Sequence, residues 1–172
     1  MATTNRRLLW VCISAALALA PLGSASAKSA AAAAPYVPGL GEIMGATQMR
    51  HLKLWYAGEA QNWPLAAYEV DELAEGFADA ARYHPRHKDA PRPIAELIPE
   101  FTAGPISALR AAIAAHDARG FAAAYDGLTA GCNGCHEAAR FDFNVVVRPT
   151  ANPYSNQRFA PESPNSADAT GR

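Results

Sequence analysis

The stretch that most constrains this chain is CNGCH at residues 132–136. A C-x-x-C-H run is the signature of covalent haem attachment. Each cysteine thiol adds across one vinyl group of the porphyrin, and two intervening residues let both sulfurs reach the same ring. The adjacent His136 then presents an imidazole nitrogen to the iron. The run therefore predicts one haem c per chain, bound covalently through Cys132 and Cys135, with His136 as the proximal iron ligand.

Other uses of a cysteine pair place demands that the rest of the sequence does not meet. A structural zinc site needs a second pair of ligands at suitable spacing, and the nearest candidates, His84 and His87, lie in a proline-rich connection. A thioredoxin-like redox pair normally lies next to a βαβ pattern, and no such pattern surrounds Cys132 and Cys135. Covalent haem attachment is therefore the favoured interpretation.

The amino-terminal segment, residues 1–27, has the organisation of a secretory signal peptide. Arg6 and Arg7 precede a mostly apolar stretch over residues 8–22, and Ala25-Ser26-Ala27 forms a small-residue cleavage site. The apolar stretch is too short and too interrupted to favour a membrane-spanning helix. We therefore expect cleavage after residue 27, export to the periplasm, and a mature chain without a membrane span.

The expected cleavage also simplifies the cysteine content and the charge of the chain. It removes Cys12 and leaves Cys132 and Cys135, so no disulfide framework competes with the haem interpretation. It also removes two arginines and no acid, which leaves 13 basic and 16 acidic residues and a formal charge of −3. A charge this mild does not favour binding to nucleic acid or to a membrane surface.

Helical periodicity begins after residues 28–38, an Ala- and Pro-rich stretch interpreted as a flexible lead-in. A first helix is predicted over residues 40–61 and a second from Pro64, each with apolar side chains three and four positions apart. The third helical region begins near Ile94. Because two prolines follow, its first half is predicted to be irregular or kinked, with a regular helix over residues 105–116.

The fourth helix is predicted to carry the attachment motif near its end. Asp117 is a candidate N-cap for this helix, and both cysteines of the motif fall on its core-facing stripe. Glycines lower helix stability by roughly 1 kcal/mol each relative to alanine, yet this helix contains Gly127, Gly131 and Gly134. We expect their missing side chains to leave room for a flat porphyrin.

Four amphipathic segments with short links and almost no strand signal predict an all-α fold. The apolar stripes predict substantial burial of six side chains: Met44, Leu73, Phe77, Leu109, Tyr125 and Leu128. The predicted architecture is an up-down antiparallel four-helix bundle over residues 39–143, with the haem inside one end. The acidic face of the second helix, which includes Glu69, is predicted to be solvated. Residues 144–172 are predicted to form an extended tail that is disordered at its end. The tail contains the apolar residues Val145, Val147, Tyr154 and Phe159. They are predicted to pack back on the bundle, and the alternative is that they dock a redox partner.

This layout resembles the class II c-type cytochromes, the group of cytochrome c′ and cytochrome c556. The resemblance rests on Cys132, Cys135 and His136 late in the last of four helices, and on Arg140, one turn after the histidine. The Phe121-x-x-x-Tyr125 run is a weaker similarity. The resemblance implies a periplasmic haem protein that carries electrons or binds small gases and that is often a homodimer. The proline-interrupted third region and the long tail depart from the pattern of this group.

The sixth iron position is predicted from the bundle topology. The first helix runs antiparallel to the fourth, so its beginning lies beside the end that carries His136. Met44 lies on the core stripe at that level, and in six-coordinate members of the group that this chain resembles, a methionine early in the first helix is the ligand. Met44 is therefore the predicted sixth ligand. His51 and Met49 are lesser alternatives, and an open position is another.

The sixth ligand decides the function. A His/Met pair raises the potential and suits electron transfer, so we predict a carrier that serves redox partner proteins. The alternative is binding or sensing of NO or CO at a five-coordinate haem. An enzyme such as a peroxidase is not expected, because Arg50 and His51 point about 100° apart on a helix. Arg140 and Arg148 are the nearest basic candidates to pair with the haem propionates.

Overall fold

The structure, a computed structural model, describes residues 35–87 and 89–161. The predicted signal peptide, most of the predicted lead-in and the end of the predicted tail lie outside these residues. The described part contains four α-helices and no strand. The prediction of an all-helical domain with four helices is therefore confirmed. The helices are α1 (Leu40–Glu59), α2 (Trp63–Tyr83), α3 (Ile94–Ala114) and α4 (Ala118–Ala138).

Sequential helices pack side by side, and α4 returns to contact α1. Gly58, near the end of α1, faces Phe121 near the start of α4, whereas His51, one to two turns earlier in α1, contacts Tyr125 and Thr129 further along α4. The two helices are therefore antiparallel, and the start of α1 lies beside the end of α4. This arrangement places the CNGCH motif at the end of the bundle where α1 begins.

Short, capped connections join α1 to α2 and α3 to α4. The side chain of Asn62 accepts a hydrogen bond from the backbone N–H of Leu65 at 3.3 Å and caps α2, with Pro64 in the first turn. The side chain of Asp117 accepts from the N–H of Arg119 at 3.0 Å and caps α4, as predicted. These caps satisfy N–H groups that have no partner inside their own helix.

The prediction that the first half of the third helical region is irregular is wrong. Both Pro99 and Pro105 lie inside one continuous helix. A proline inside a helix removes one hydrogen bond and crowds the carbonyl four residues earlier. For Pro105 that carbonyl belongs to Phe101, and its oxygen lies against Gly131 of α4, where a Cβ would overlap it. Burial of apolar residues on both sides of the prolines, among them Leu97 and Leu109 with no exposed surface, offsets the local cost.

The core follows the predicted stripes closely. The side chains predicted to be buried are at most 8% exposed, except for Met44, which is half-buried. The confirmed residues are Leu73, Phe77, Leu109, Tyr125 and Leu128. An aromatic group formed by Trp55, Trp63, Phe121 and Tyr125 fills the end of the bundle opposite the motif.

Glu69 does not face solvent, and the prediction that it does is wrong. It is 1% exposed and accepts a hydrogen bond from the Arg50 Nη1 atom at 3.2 Å, while Arg50 Nη2 lies 2.8 Å from Glu72. Burial raises the pKa of the Glu69 carboxyl, and the neighbouring Arg50 guanidinium opposes that rise. An acidic run on a helix surface gives no information about which of its members meets a cation on the next helix.

The chain beyond α4 runs back over the bundle. Phe159 is buried, as predicted, and its carbonyl accepts a hydrogen bond from Asn62 Nδ2 at 2.9 Å. Tyr154 is half-buried beneath the Lys53 ammonium, 4.8 Å from its ring centre. Val145 and Val147 are 62% and 68% exposed, so the prediction that they pack on the bundle is wrong.

No helix in residues 35–87 and 89–161 has both the length and the apolar character that crossing a lipid bilayer requires. The predicted absence of a membrane span therefore agrees with the part of the chain that the structure describes. The prediction for the mature chain also covers residues 28–34, 88 and 162–172, which lie outside the described part of the chain.

Candidate haem site

A cavity of about 400 Å³ lies at the end of the bundle where α1 begins. This volume falls in the range of cofactor and ligand sites. The first half of α1, the second half of α2, the start of α3 and the end of α4 contribute to its walls. Most of the wall is apolar, through Leu40, Leu73, Phe77, Ile94, Ile98, Ala139, Phe141 and Val146.

The structure brings the principal predicted site residues together around this cavity. Cys132, Cys135 and His136 line it from α4, and Met44 lines it from α1. His51 also lines the cavity, deeper along α1, whereas Met49 is not among the lining residues. The cavity therefore places two thiols, an imidazole and a thioether around one space.

The prediction that the glycines of α4 leave room for a flat porphyrin is wrong for Gly131 and Gly134. A Cβ at Gly131 would overlap the carbonyl oxygen of Phe101, and a Cβ at Gly134 would lie 2.8 Å from the Phe101 ring. At Gly127 a Cβ would meet open space. Gly131 and Gly134 therefore let α3 approach the motif closely, and Phe101 fills the space beside these two glycines.

The His136 imidazole is oriented by a backbone carbonyl. Its Nδ1 atom lies 2.6 Å from the carbonyl oxygen of Asn144, which can only accept a hydrogen bond. The proton of the neutral ring is therefore on Nδ1, and Nε2 retains its lone pair. This is the arrangement of metal-binding histidines, in which a second hydrogen bond fixes the tautomer and orients the ring.

A segment after α4, residues 141–149, lies along the motif helix; we call it the strap. Asn133 Nδ2 donates to the Val146 carbonyl at 2.9 Å, and Asn133 Oδ1 accepts from the Val146 N–H at 2.8 Å. Further along, the Arg148 guanidinium donates to Asp126 and lies 4.3 Å from the ring centre of Trp55. Alternate strap residues therefore face α4, while Val145 and Val147 face outward.

The two cysteines are unpaired thiols with little tendency to ionise. Burial, with a smaller contribution from Cys135, raises the pKa of the Cys132 thiol to about 11. Burial also raises the pKa of Cys135. Redox-active C-x-x-C pairs depend on a lowered thiol pKa, so the surroundings of this pair are unlike those of a disulfide oxidoreductase.

His51 is held in a closed hydrogen-bond network. The Thr129 hydroxyl donates to the Tyr125 carbonyl at 3.0 Å, so its oxygen accepts the Nε2–H of His51 at 2.9 Å. His51 Nδ1 then accepts from the Tyr125 hydroxyl, also at 2.9 Å, and the two rings stack. Burial lowers the pKa of His51 to about 4. Both ring nitrogens are therefore engaged within the protein.

His87 is a cavity residue that the sequence did not indicate. It belongs to the connection between α2 and α3, lines the cavity, and packs edge-on against Phe141 with 5.1 Å between ring centres. Its Nδ1 atom is buried without a hydrogen-bond partner. Helical periodicity carries no information about the path of an irregular connection, so no signal in the sequence could have found it.

The arginines predicted to pair with propionates do not line the cavity. Arg148 is engaged by Asp126 and Trp55, and Arg140, which ends α4 with a φ of 65°, is exposed. Among the described residues, no lysine or arginine belongs to the cavity wall. The described residues also contain no group of three or more His, Cys, Asp or Glu side chains placed to hold a metal ion.

Comparisons with protein-family models, curated proteins and solved structures found no match for this chain. The chemistry of the cavity is therefore inferred from its own residues. Those residues include two neighbouring thiols, the His136 imidazole with a free Nε2 lone pair, one thioether and a mostly apolar wall.

Proposed function

We propose that this protein is an exported c-type cytochrome that carries electrons through one haem c. Cys132 and Cys135 would attach the porphyrin, and His136 would bind the iron through Nε2. One observation carries this proposal: both thiols and His136 line a single cavity, and the Nδ1–H of His136 is held by the Asn144 carbonyl. When bound, the haem supplies one-electron chemistry by cycling between ferric and ferrous iron.

The cavity suits a porphyrin in its chemistry. Its wall is mostly apolar, which favours burial of the ring faces, and the two cysteines are adjacent on one helix face. The iron-binding tautomer of His136 requires no rearrangement, because Asn144 already accepts the Nδ1 proton. The hydrogen bond makes the imidazole a better electron donor and fixes its orientation.

Met44 is the residue that we propose for the opposite side of the iron. It is the methionine of α1 that lines the cavity. His51 also reaches the wall, but Tyr125 and Thr129 engage both of its nitrogens, so ligation would break a buried hydrogen bond at a cost of about 1–3 kcal/mol. This difference favours thioether ligation and therefore electron transfer.

A peroxidase-like activity is disfavoured by the same network. Such chemistry needs acid and base groups aimed at an open iron position. Arg50 is paired with Glu69 and Glu72 and is not a cavity residue, and His51 has no free nitrogen. We therefore propose a carrier that serves redox partner proteins in the periplasm.

Replacement of Met44 tests this proposal. Thioether ligation should give the ferric protein a weak far-red charge-transfer band and a low-spin ferrous state that binds CO slowly. Met44→Ala should abolish the band, lower the midpoint potential and allow rapid CO binding. Met49→Ala is the matched control, because this methionine of the same helix does not line the cavity, and it should leave all three properties unchanged.

Two results would contradict electron carriage through a His/Met haem. If the wild-type protein is high-spin and binds CO rapidly, binding or sensing of NO and CO becomes the better function. If the wild-type protein is low-spin without the far-red band and His51→Ala changes its spectrum, the sixth ligand is His51.

A further inference from the structure

His87 has two ring nitrogens in different surroundings. Its Nδ1 atom is enclosed by protein and has no hydrogen-bond partner. Its Nε2 atom is not enclosed in this way, and no described residue bonds to it. Since His87 and Phe141 pack together in the cavity wall, the open nitrogen belongs to a ring that borders the cofactor space.

The surroundings of Nε2 decide the tautomer of His87, because Nδ1 lacks a partner in either form. A carboxylate that meets Nε2 can only accept a hydrogen bond, so it selects the neutral ring with its proton on Nε2. In this tautomer Nε2 is a hydrogen-bond donor and has no lone pair for a metal.

His87 and His136 differ in the surroundings of Nδ1. The Asn144 carbonyl holds the Nδ1 proton of His136 and leaves Nε2 free to bind iron. Nothing holds a proton on Nδ1 of His87, so binding of iron through its Nε2 would create a buried unpaired N–H. His136 is therefore suited to bind the iron, and His87 is suited to donate a hydrogen bond.

Three other polar side chains that line the cavity are hydrogen-bonded within the protein, whereas the exposed Gln48 amide on α1 is a second side-chain donor in the wall. The hydroxyls of Thr47 and Thr102 each donate to a carbonyl of their own helix at 2.8 Å. The nitrogens of His51 are engaged by Tyr125 and Thr129. A haem carries two propionate carboxylates, which need donors. The described cavity wall supplies no lysine or arginine for them.

We propose that the Nε2–H of His87 donates a hydrogen bond to a propionate carboxylate of the bound haem. This inference rests on the proposed function, because it requires a haem in the cavity. Such a bond neutralises part of the propionate charge near the iron and so favours the ferrous state. It also connects the cofactor to the α2–α3 connection, which otherwise has no role in the site.

The test compares three variants of the haem-loaded protein. His87→Ala removes the donor, whereas His87→Gln replaces it with an amide donor of similar reach. His84→Ala is the matched control, because His84 lies in the same connection, bonds to the Pro38 carbonyl at 2.8 Å and does not line the cavity. The readouts are the midpoint potential and the carboxylate bands in redox-induced infrared difference spectra.

We expect His87→Ala to lower the midpoint potential and shift a carboxylate band, with the ferric spin state unchanged. His87→Gln should restore most of both properties, and His84→Ala should match the wild type. The proposal is overturned if His87→Ala has the potential and the carboxylate bands of the wild type. It is also overturned if His87→Ala changes the axial ligation, since His87 would then be an iron ligand.

A second measurement decides the question if His87→Ala does not fold. Nitrogen-15 NMR of the wild-type ferrous protein reports which ring nitrogen of His87 carries the proton. A slowly exchanging Nε2–H supports the proposal, and a proton on Nδ1 contradicts it. If the wild-type chain contains no covalent haem, the proposed function itself fails, which is a separate and recognisable result.

Discussion

Asn133 and Val146 are joined by two hydrogen bonds, one in each direction between the side-chain amide and the peptide group. Through these two bonds the Asn133 side chain pairs with the Val146 peptide group in the way that the backbone of a neighbouring β-strand would. Because Asn133 stands between the two cysteines, the residue pair fixes the strap to the part of α4 that would carry the haem. The bond from His136 to the Asn144 carbonyl continues the same alignment two residues earlier in the strap.

Loss of the Asn133 amide should release the strap. Asn133→Ala removes both bonds to Val146, so we expect a loss of about 1–3 kcal/mol in the free energy of unfolding. The Val146 amide should exchange its hydrogen much faster with solvent, which amide hydrogen exchange measures. Asn152→Ala is the control, since the Asn152 side chain makes an exposed, local bond to the Tyr154 N–H two residues later. Unchanged protection of Val146 in Asn133→Ala would contradict this role of the amide.

Two glycines of α4 should respond to alanine in opposite directions. Gly127 faces open space, so Gly127→Ala should raise the free energy of unfolding by about 0.5–1 kcal/mol through helix propensity. Gly131 lies against the Phe101 carbonyl, so Gly131→Ala should lower it by about 1–3 kcal/mol through overpacking. Urea unfolding of both variants checks this difference. Equal stabilisation by the two substitutions would mean that α3 does not approach α4 as described.

His51 should make the protein less stable in mild acid. Its pKa is lowered from 6.5 to about 4 by burial, so the unfolded chain takes up a proton over this range while the folded protein does not. Stability is therefore complete above about pH 6.5 and is lost as the pH falls towards 4. Between pH 7 and pH 5 the loss amounts to about 2 kcal/mol.

Urea unfolding at pH 7 and pH 5 measures this effect. The stability difference between the two pH values should shrink by about 2 kcal/mol in His51→Gln, because the titrating group is gone. An identical pH difference in the wild type and in His51→Gln would show that His51 is not held neutral by burial.

The helices and most of the core could be predicted because apolar spacing reports directly on a buried helix face. Leu73, Phe77, Leu109 and Leu128 are buried for this reason. The course of α3 could not be predicted from its prolines, since their local cost is opposed by packing against α4. That packing depends on Gly131, which lies distant in sequence and gives no sign of its partner.

The candidate site was predictable only in part. The motif identified Cys132, Cys135 and His136, and the antiparallel topology placed Met44 beside them. His87 was missed because an irregular connection has no period from which its path can be read. Side chains of the extended strap alternate between two faces, which the sequence could predict. Which face lies against α4 is decided by the bonds between Asn133 and Val146, which the sequence does not show.

Covalent attachment is the central claim, and the mass of the denatured mature protein tests it most directly. We predict a mass equal to the chain from Lys28 plus one haem, and haem peroxidase staining that persists after denaturing electrophoresis. The double variant Cys132→Ala with Cys135→Ala should lose both. If the wild-type chain has the mass of the polypeptide alone, or if its haem extracts freely into acidified acetone, the cavity does not hold a covalent haem and the account is contradicted.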